Sequence, residues 1–294
     1  MVDFRSYFIF RIFIFFGVAS VCLGAAFLEE PQRQPIPPSI SFISSPSYDQ
    51  QNLYYPELSS RLYQGDILQA PHDDSRNAIN IETYKWPNGV VPYAFNQSFD
   101  DPDEQKIVRK AMDELESKTC VRFVVRESQT EYISINKEKD QGCFAMIGYR
   151  PKRDKPLPVN LQSPECLRHS GTVQHELLHV LGLLHEQARP DRDDHVKIMW
   201  ENIDMQYKND FGKARTSEVT TFGVPYDYQS VMHYPKYAFS KNGKDTIVAV
   251  TPRPSGILGL FQGPTEDSKV VMGQRIGATD GDLEKIRRMY KCPK

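Results

Sequence analysis

Three histidines that fall within eleven positions, His175, His179 and His185, are the residues best suited to chemistry. The first two are four residues apart, so on a helix both imidazoles lie on one face and can bind a single metal ion. Glu176 follows the first histidine directly and can face the same cleft. Gly182 can adopt the left-handed conformation that ends a helix, which would bring His185 to the metal from a second direction.

Three neutral imidazoles leave a fourth position open for water, which is typical of a catalytic zinc site rather than a structural one. Zinc lowers the pKa of such a water to about 7, and Glu176 could take up its proton and pass it to a leaving amine. Two histidines four residues apart also occur on solvated helix faces and in cores. The added Glu, Gly and third His favour the metal site, and they predict a zinc-dependent hydrolase of peptide bonds.

The composition bounds the other function classes. The chain has 294 residues, a net charge of −2 and 39% hydrophobic residues, which fits a globular protein and argues against a nucleic-acid partner. The length allows one large domain, or two small ones with flanking segments. No Gly-x-Ser-x-Gly nucleophile, phosphate-binding glycine loop or paired Cys-x-x-Cys competes with the histidine segment.

The N-terminus has the pattern of a secretory signal. Arg5 and Arg11 precede an apolar run of 17 residues, 12–28, so we expect a signal peptide over residues 1–26 and an extracellular protein. The alternative is an uncleaved anchor, although the run is short for a membrane-spanning helix of about 20 residues, and we expect no stable membrane association. In an oxidising compartment four cysteines can form two disulfides in three possible pairings: Cys120, Cys143, Cys166 and Cys292.

The periodicity of the remaining chain predicts an α+β fold. Strands are expected at 90–95, 121–125 and 132–135, and helices at 103–118 and 171–181. Thr279 and Asp282 are spaced as a capping box before a short terminal helix. Residues 191–277 contain many turn residues and no long periodic segment, so an irregular region is expected there. The stretch 29–60 is rich in Pro, Ser and Gln and is expected to be flexible. Asn96-Gln97-Ser98 predicts glycosylation at Asn96.

These motifs resemble those of the metzincin endopeptidases, and among them the astacin family. The histidine segment is followed by a Met-turn, here Ser230-Val231-Met232-His233-Tyr234, and Glu186 with the Arg-Pro-Asp-Arg-Asp of 189–193 is similar to the astacin form. The resemblance covers about residues 77–292. It implies a zincin-like α+β fold, with a twisted mixed sheet and the active-site helix in an N-terminal subdomain. The C-terminal subdomain would be largely irregular and would end in a helix.

The resemblance also implies roles for single residues. One Zn²⁺ would be bound by the three histidines, with Glu176 as the catalytic base and Met232 as an apolar floor below the ion. Tyr234 would be either an extra zinc ligand at rest or a hydroxyl donor to the developing oxyanion. The cysteines would pair first with last and second with third, as Cys120–Cys292 and Cys143–Cys166.

A latency device is implied as well. Tyr63-Gln64-Gly65-Asp66 resembles the pro-segment motif of the family, in which Asp66 would bind the zinc in place of water. The alternative is an ordinary aspartate in a turn. We therefore expect a pro-segment over 27–76 and a catalytic domain over 77–294.

Processing would separate the two parts. Asp73-Asp74-Ser75-Arg76 is a plausible site for an activating, trypsin-like protease, which would place the mature N-terminus near Asn77. The resemblance implies that the new amino group lies near Glu186, because a buried ammonium needs an acidic partner.

Two features depart from the family pattern. Leu183 stands where Phe is usual, and residues 148–162 lack the Gly-Gly-Gln usual before the edge strand that receives the substrate by strand addition. The leading prediction is a secreted zinc endopeptidase that acts on proteins or peptides. An inactive relative with a structural zinc and a partner-binding cleft is the second hypothesis, although Glu176 and the three histidines are all retained. A secreted matrix or coat protein, suggested by the Pro-rich stretch, is the third.

Overall fold

The computed structural model describes residues 55–69, 82–151, 153, 155–217, 219–251, 265–267 and 269–293. The predicted signal peptide, the processing site at Arg76 and the new N-terminus at Asn77 lie outside the described residues. The described residues form three α-helices and eight β-strands. None of the helices in this part of the chain is both long enough and apolar enough to cross a membrane.

A five-stranded mixed sheet forms the N-terminal half of the fold. Its strands are β1 (Val90–Phe95), β2 (Arg122–Val125), β3 (Ile133–Asn136), β4 (Cys143–Ala145) and β5 (Leu157–Leu161). Their spatial order is β2-β1-β3-β5-β4, and only β4 is antiparallel to its neighbour. The first three strands confirm the predicted ones to within one residue at each end.

The resemblance left the form of the edge strand open, because residues 148–162 lack the family's usual Gly-Gly-Gln. β5, at the end of that stretch, is an inner strand that pairs with β3 on one side and with β4 on the other. The outer edge belongs to β4, which precedes the stretch. All three residues of β4 are buried, so the strand shows none of the alternation by which a sequence reveals a half-exposed strand.

Two helices pack on this sheet, and both confirm the predictions. Helix α1 (Pro102–Lys118) begins after Asp101, whose side chain accepts a hydrogen bond from the backbone of Asp103 at 2.8 Å. Helix α2 (Ser170–Leu181) packs against α1 and β4. Every residue of α2 from the second onward is buried, so this helix lies in the centre of the domain rather than on its surface.

The C-terminal half is largely irregular, as predicted, but it contains a small antiparallel sheet that the sequence did not reveal. Its strands, in spatial order, are β6 (Val196–Ile198), β7 (Ile247–Thr251) and β8 (Thr265–Asp267). A second apolar cluster lies under it and includes Ile203, Phe211 and Tyr234. The chain ends in helix α3 (Asp280–Met289), the predicted terminal helix.

Residues 55–60 correct the expectation of a flexible stretch. Pro56–Ser59 form a short 3₁₀-helix, and the side chains of Tyr55 and Leu58 are buried in the second apolar cluster. The rest of the Pro-rich stretch lies outside the described residues. The segment 55–69 is therefore packed against the domain.

The structure contains two disulfides in the pairing that the resemblance implied, and one of them joins the two halves of the fold. Cys120–Cys292 links the start of β2 to the end of the chain and closes a loop with a sequence separation of 172. Cys143–Cys166 links β4 to the turn before α2, with a separation of 23. Both bonds fix elements that border the histidine helix.

The terminal helix also supports the Met-turn. The predicted capping box is present, with reciprocal hydrogen bonds between Thr279 and Asp282. The carboxylate of Asp282 accepts two further bonds, from the Ser230 hydroxyl at 2.5 Å and from the Val231 N–H at 3.0 Å. One side chain of α3 thus holds both its own N-terminus and the start of the Met-turn.

We predict that Asp282→Ala lowers the free energy of unfolding by about 2–4 kcal/mol, because it leaves several buried donors without an acceptor. The matched control is Asp280→Ala, an exposed aspartate in the first turn of the same helix, which we expect to change stability by about 0.5 kcal/mol or less. Denaturant unfolding of the full chain measures both. Equal losses in the two variants would contradict the role given to Asp282.

Candidate active site and metal centre

Helix α2 places His175, Glu176 and His179 in the interior, where all three side chains are fully buried. The helix ends at Gly182, whose φ of 110° lies in the left-handed region that favours glycine. Its N–H donates to the His179 carbonyl at 2.9 Å, which closes the last turn. The chain then turns back and brings His185 to the other two imidazoles, as the sequence predicted.

Each of the three imidazoles donates its Nδ1 proton to an oxygen atom, which fixes the ring orientation and the tautomer. The acceptors come from three parts of the chain: the Val231 carbonyl for His175 at 2.7 Å, the Leu183 carbonyl for His179 at 2.8 Å, and the Gln64 side-chain oxygen for His185 at 2.9 Å. Because every Nδ1 carries a proton, every Nε2 presents a lone pair.

These lone pairs converge on the carboxylate of Asp66. Its Oδ2 atom lies 3.0 Å from Nε2 of His175 and 3.2 Å from Nε2 of His185, and its Oδ1 atom lies 3.5 Å from Nε2 of His179. The Nε2 atoms of His175 and His185 are 3.3 Å apart. All four ligand atoms lie within 4.8 Å of one another, and all four residues are buried.

This donor set fits a zinc ion. Three imidazole nitrogens and one carboxylate oxygen are ligands that zinc prefers, and atoms at zinc–ligand distance in a tetrahedron are about 3.3 Å apart. Without a cation, four acceptors would face one another in a buried space, which is electrostatically unfavourable. Nε2 of His179 and Oδ1 of Asp66 have no hydrogen-bond partner among the described residues, as expected for atoms whose partner is a metal.

The pKa values of the cluster follow from its burial. Burial lowers the pKa of His175 to about 3 and also lowers that of His185, so both rings are neutral and able to bind a metal. Burial alone would raise the pKa of Asp66, but the surrounding histidines, His185 and His179 foremost, hold it well below its usual range. Asp66 therefore carries a negative charge at neutral pH.

Glu176 has the opposite character. Burial raises the pKa of its carboxyl well above the usual range, and the negative charge of Asp66 raises it further. Neither of its oxygens has a hydrogen-bond partner within the described part of the chain. A buried carboxyl without a partner is unusual for a purely structural residue, so Glu176 is a candidate for chemistry.

The Met-turn lies directly against the histidine loop. The Met232 side chain is buried in the main core, and its carbonyl accepts a hydrogen bond from the Glu186 N–H at 3.0 Å. The fully buried Tyr234 has its ring 4.9 Å from the His185 ring, and its hydroxyl donates to the main-chain carbonyl of Gln64 at 2.5 Å. In this form of the protein the Tyr234 hydroxyl is thus bound to the segment that carries Asp66.

Glu186 is held by two cations of the chain itself. Its carboxylate pairs with Arg189 at 3.0 Å and with Lys285 of α3, and it accepts the Asp227 N–H at 3.0 Å. The predicted partner of Glu186, the amino group of Asn77, lies outside the described residues. Glu186 thus connects the histidine loop to α3 and to the segment before the Met-turn.

The segment that delivers Asp66 makes a tight turn at Gly65. The φ of Gly65 is 86°, and its N–H donates to the Leu62 carbonyl at 2.9 Å, which turns Asp66 toward the histidines. Beyond the turn, the segment adds to the outer edge of β4. The Ala145 N–H donates to the Asp66 carbonyl at 3.1 Å, and the Leu68 N–H donates to the Ala145 carbonyl at 2.9 Å.

A buried ion pair that sequence reasoning missed also anchors this segment. The guanidinium of Arg275 lies 2.6 Å from the carboxylate of Glu57, and both side chains are almost fully buried. The Arg275 guanidinium also lies 5.3 Å from the ring centroid of Tyr55. The two residues are 218 positions apart, and neither belongs to a recognisable motif, so no local signal could have paired them.

The predicted glycosylation residue lies on the surface. Asn96 is exposed at the end of β1, in a turn closed by a bond from the Phe99 N–H to its carbonyl. Its position is compatible with a glycan, which stays a prediction.

Comparison with known proteins decides the family. The family model of astacin, which describes a family of peptidases, matches residues 78–291. The chain belongs to the astacin family of zinc metalloendopeptidases. It is 38% identical to the low choriolytic enzyme of Oryzias latipes over 79% of this chain and 78% of that protein. The match confirms the α+β metzincin fold and the zinc cofactor expected from the histidine segment.

A second relative and a solved structure are also similar to this chain. The zinc metalloproteinase nas-4 of Caenorhabditis elegans is 35% identical over 74% of this chain, and the chain spans 62% of the length of that relative. Among solved structures, the high choriolytic enzyme 1 of Oryzias latipes, a hatching enzyme zinc-protease, is similar with a TM-score of 0.59 and 31% identity. That match covers 78% of this chain and 100% of the other.

We predict that the purified full chain binds one zinc ion and that His185→Ala weakens zinc binding by more than about 100-fold. Removal of a residue that supports a metal ligand typically lowers metal affinity by about 10- to 100-fold, and removal of a ligand itself should lower it further. The matched control is His169→Ala, at the start of the same helix but outside the cluster, which should bind zinc as the wild type does. Elemental analysis with chelator competition measures both; unchanged zinc binding in His185→Ala would contradict the assignment.

Proposed function

We propose that this chain is the secreted, latent precursor of an endopeptidase that hydrolyses peptide bonds in proteins or peptides. The observation that carries the proposal is the position of the Asp66 carboxylate among the Nε2 atoms of the three histidines, with the Glu176 carboxyl beside it. A protein that used its zinc only to hold the fold would need neither an unpaired buried glutamate nor a removable fourth ligand.

Glu176 and Tyr234 are the proposed catalytic residues. When bound, zinc polarises the scissile carbonyl and activates a water molecule for attack. Once substrate and water replace Asp66, Glu176 accepts the proton of the attacking water and transfers it to the leaving amine. The Tyr234 hydroxyl, when no longer bound to Gln64, donates a hydrogen bond to the carbonyl oxygen that becomes negative.

Latency has three supports in the same segment. Asp66 fills the space between the histidines that water and the substrate carbonyl need, the adjacent residues pair with the edge of β4, and Gln64 holds the Tyr234 hydroxyl. Removal of residues 27–76 by an activating protease would free the metal position, the strand edge and the tyrosine together. The catalytic domain would then begin near Asn77.

Secretion is proposed from the signal pattern over residues 1–26 and from the chemistry of the cysteines. Two disulfides form between the four cysteines of the catalytic domain, which is typical of proteins that fold in an oxidising compartment. Glycosylation at the exposed Asn96 would accompany this route.

The direct test compares the full-length protein before and after activation. The untreated chain should not cleave a denatured protein substrate, whereas limited digestion with trypsin, followed by trypsin inhibition, should produce activity that a zinc chelator removes. N-terminal sequencing of the product should show cleavage after Arg76. A digested chain that binds zinc but cleaves nothing would favour the inactive relative instead.

Glu176→Gln should lower kcat/KM of the activated protein by about 10²- to 10⁴-fold, because general acid–base transfer contributes about this factor. The variant keeps the shape of the side chain and all three histidines, so its zinc content should equal that of the wild type. Kinetics on the digested protein and elemental analysis measure the two quantities. Activity within about threefold of the wild type would exclude Glu176 as the base.

Asp66→Ala should give an undigested precursor with measurable peptidase activity, because the metal position opens while residues 27–76 remain attached. Arg61→Ala, an exposed residue of the same segment, is the matched control and should stay as latent as the wild type. Hydrolysis of a quenched fluorescent peptide by each undigested variant measures the effect. If Asp66→Ala is fully latent while its digested form is active, Asp66 is not the block.

A further inference from the structure

Gln64 is held in the cleft by both polar groups of its main chain. Its N–H donates to Oδ1 of Asp210 at 3.0 Å, and its carbonyl accepts the Tyr234 hydroxyl at 2.5 Å. Neither bond involves the Gln64 side chain, which is bonded instead to His185. The Asp210–Tyr234 pair therefore binds a main-chain N–H and a main-chain carbonyl, which every non-proline residue of a peptide has.

Asp210 is built into the wall of the cleft beside Tyr234. It is fully buried and belongs to the 3₁₀-helix Met205–Phe211. The end of this helix is fixed by Arg192, which donates to the Phe211 carbonyl at 2.7 Å, and the Phe211 ring packs edge-on against the Tyr234 ring at 5.9 Å. The acceptor Asp210 and the donor Tyr234 thus belong to one packed unit. The distance between them is fixed before a peptide binds.

The same segment is bound on its other side by the edge of β4. The strand bonds begin at the carbonyl of Asp66 and continue to the N–H of Leu68, whereas Asp210 and Tyr234 bind two residues earlier, at Gln64. The cleft therefore contacts the main chain of this segment at two places, at Gln64 before the Gly65 turn and at Asp66 to Leu68 after it. When the segment departs, a main-chain N–H of another bound peptide can donate to Oδ1 of Asp210 in place of the Gln64 N–H.

We propose that Asp210 is a substrate-binding residue, which accepts a hydrogen bond from a main-chain N–H of the bound peptide opposite Tyr234. The inference rests on the proposed endopeptidase function, since it assigns the groups of the pro-segment to the substrate that replaces it. The bond selects no side chain. It fixes the depth and rotation of the peptide, and so the approach of the scissile bond to the histidine cluster.

The first test uses the digested, zinc-loaded protein and a set of otherwise identical cleavable peptides, each with one N-methylated peptide bond. In the wild type, N-methylation should lower kcat/KM by about 10- to 100-fold at one peptide position that is neither the scissile bond nor a position paired with β4. This is the range for a hydrogen bond to a charged group. Asp210→Ala should remove the penalty at that position alone. Asp210→Asn, which keeps a side-chain oxygen acceptor, should restore part of it.

Lys208→Ala is the control, an exposed residue of the same 3₁₀-helix, and every penalty should stay as in the wild type. If all N-methyl penalties survive in Asp210→Ala, the inference is wrong, while cleavage of the unmodified peptide by the wild type keeps the proposed function intact. If the wild type cleaves no peptide, the proposed function itself fails.

A second measurement needs no variant and so does not depend on how Asp210→Ala folds. A synthetic peptide of residues 55–69 should inhibit the digested wild-type protein, and N-methylation at Gln64 should raise its inhibition constant by about 10- to 100-fold. The peptide carries Asp66 in both forms, so metal binding is the same. Equal inhibition by the two peptides would overturn the assignment of Asp210 as an N–H acceptor.

Discussion

Three imidazole lone pairs that point at one buried position are the constraint on which the rest of the structure depends. Each Nδ1 donates to an oxygen, so in the neutral rings no Nε2 can become a donor without breaking that hydrogen bond. Only a cation can satisfy these lone pairs together with a carboxylate. The surrounding architecture supplies the rigidity that holds them in register. Helix α2 is buried, Gly182 turns the chain, and the Val231 carbonyl that orients His175 is itself fixed through Asp282 of α3.

The segment 55–69 completes this centre while it covers it. Asp66 supplies the negative charge that a divalent ion bound by three neutral ligands lacks, and Gln64 supplies the third Nδ1 acceptor. The Glu57–Arg275 ion pair anchors the same segment at a second point, outside the metal site. A single stretch of chain therefore provides the fourth ligand, orients a histidine and holds the tyrosine hydroxyl. These shared roles explain why Glu57, Gln64 and Asp66 are so deeply buried, because their polar groups find partners in the cleft.

The sequence predicted the features that depend on local spacing. The i, i+4 histidines, the glycine that ends α2 and the Thr279–Asp282 capping box all act within a few residues, so periodicity and turn chemistry reveal them. The contacts of Gln64 with Asp210 and of Glu57 with Arg275 join residues 146 and 218 positions apart, and no local pattern encodes them. Strands β4 and β6 have three residues each, too few for an alternating pattern to be seen. The disulfide pairing followed from the family resemblance and not from the spacing of the cysteines.

The most direct measurement of the central claim is anomalous diffraction at the zinc edge from crystals of the undigested protein. We predict one strong peak, about 2.0–2.2 Å from Nε2 of His175, His179 and His185 and from an oxygen of Asp66. A peak elsewhere, or a zinc ion at the histidines with Asp66 turned away from it, would contradict the claim that the segment supplies the fourth ligand.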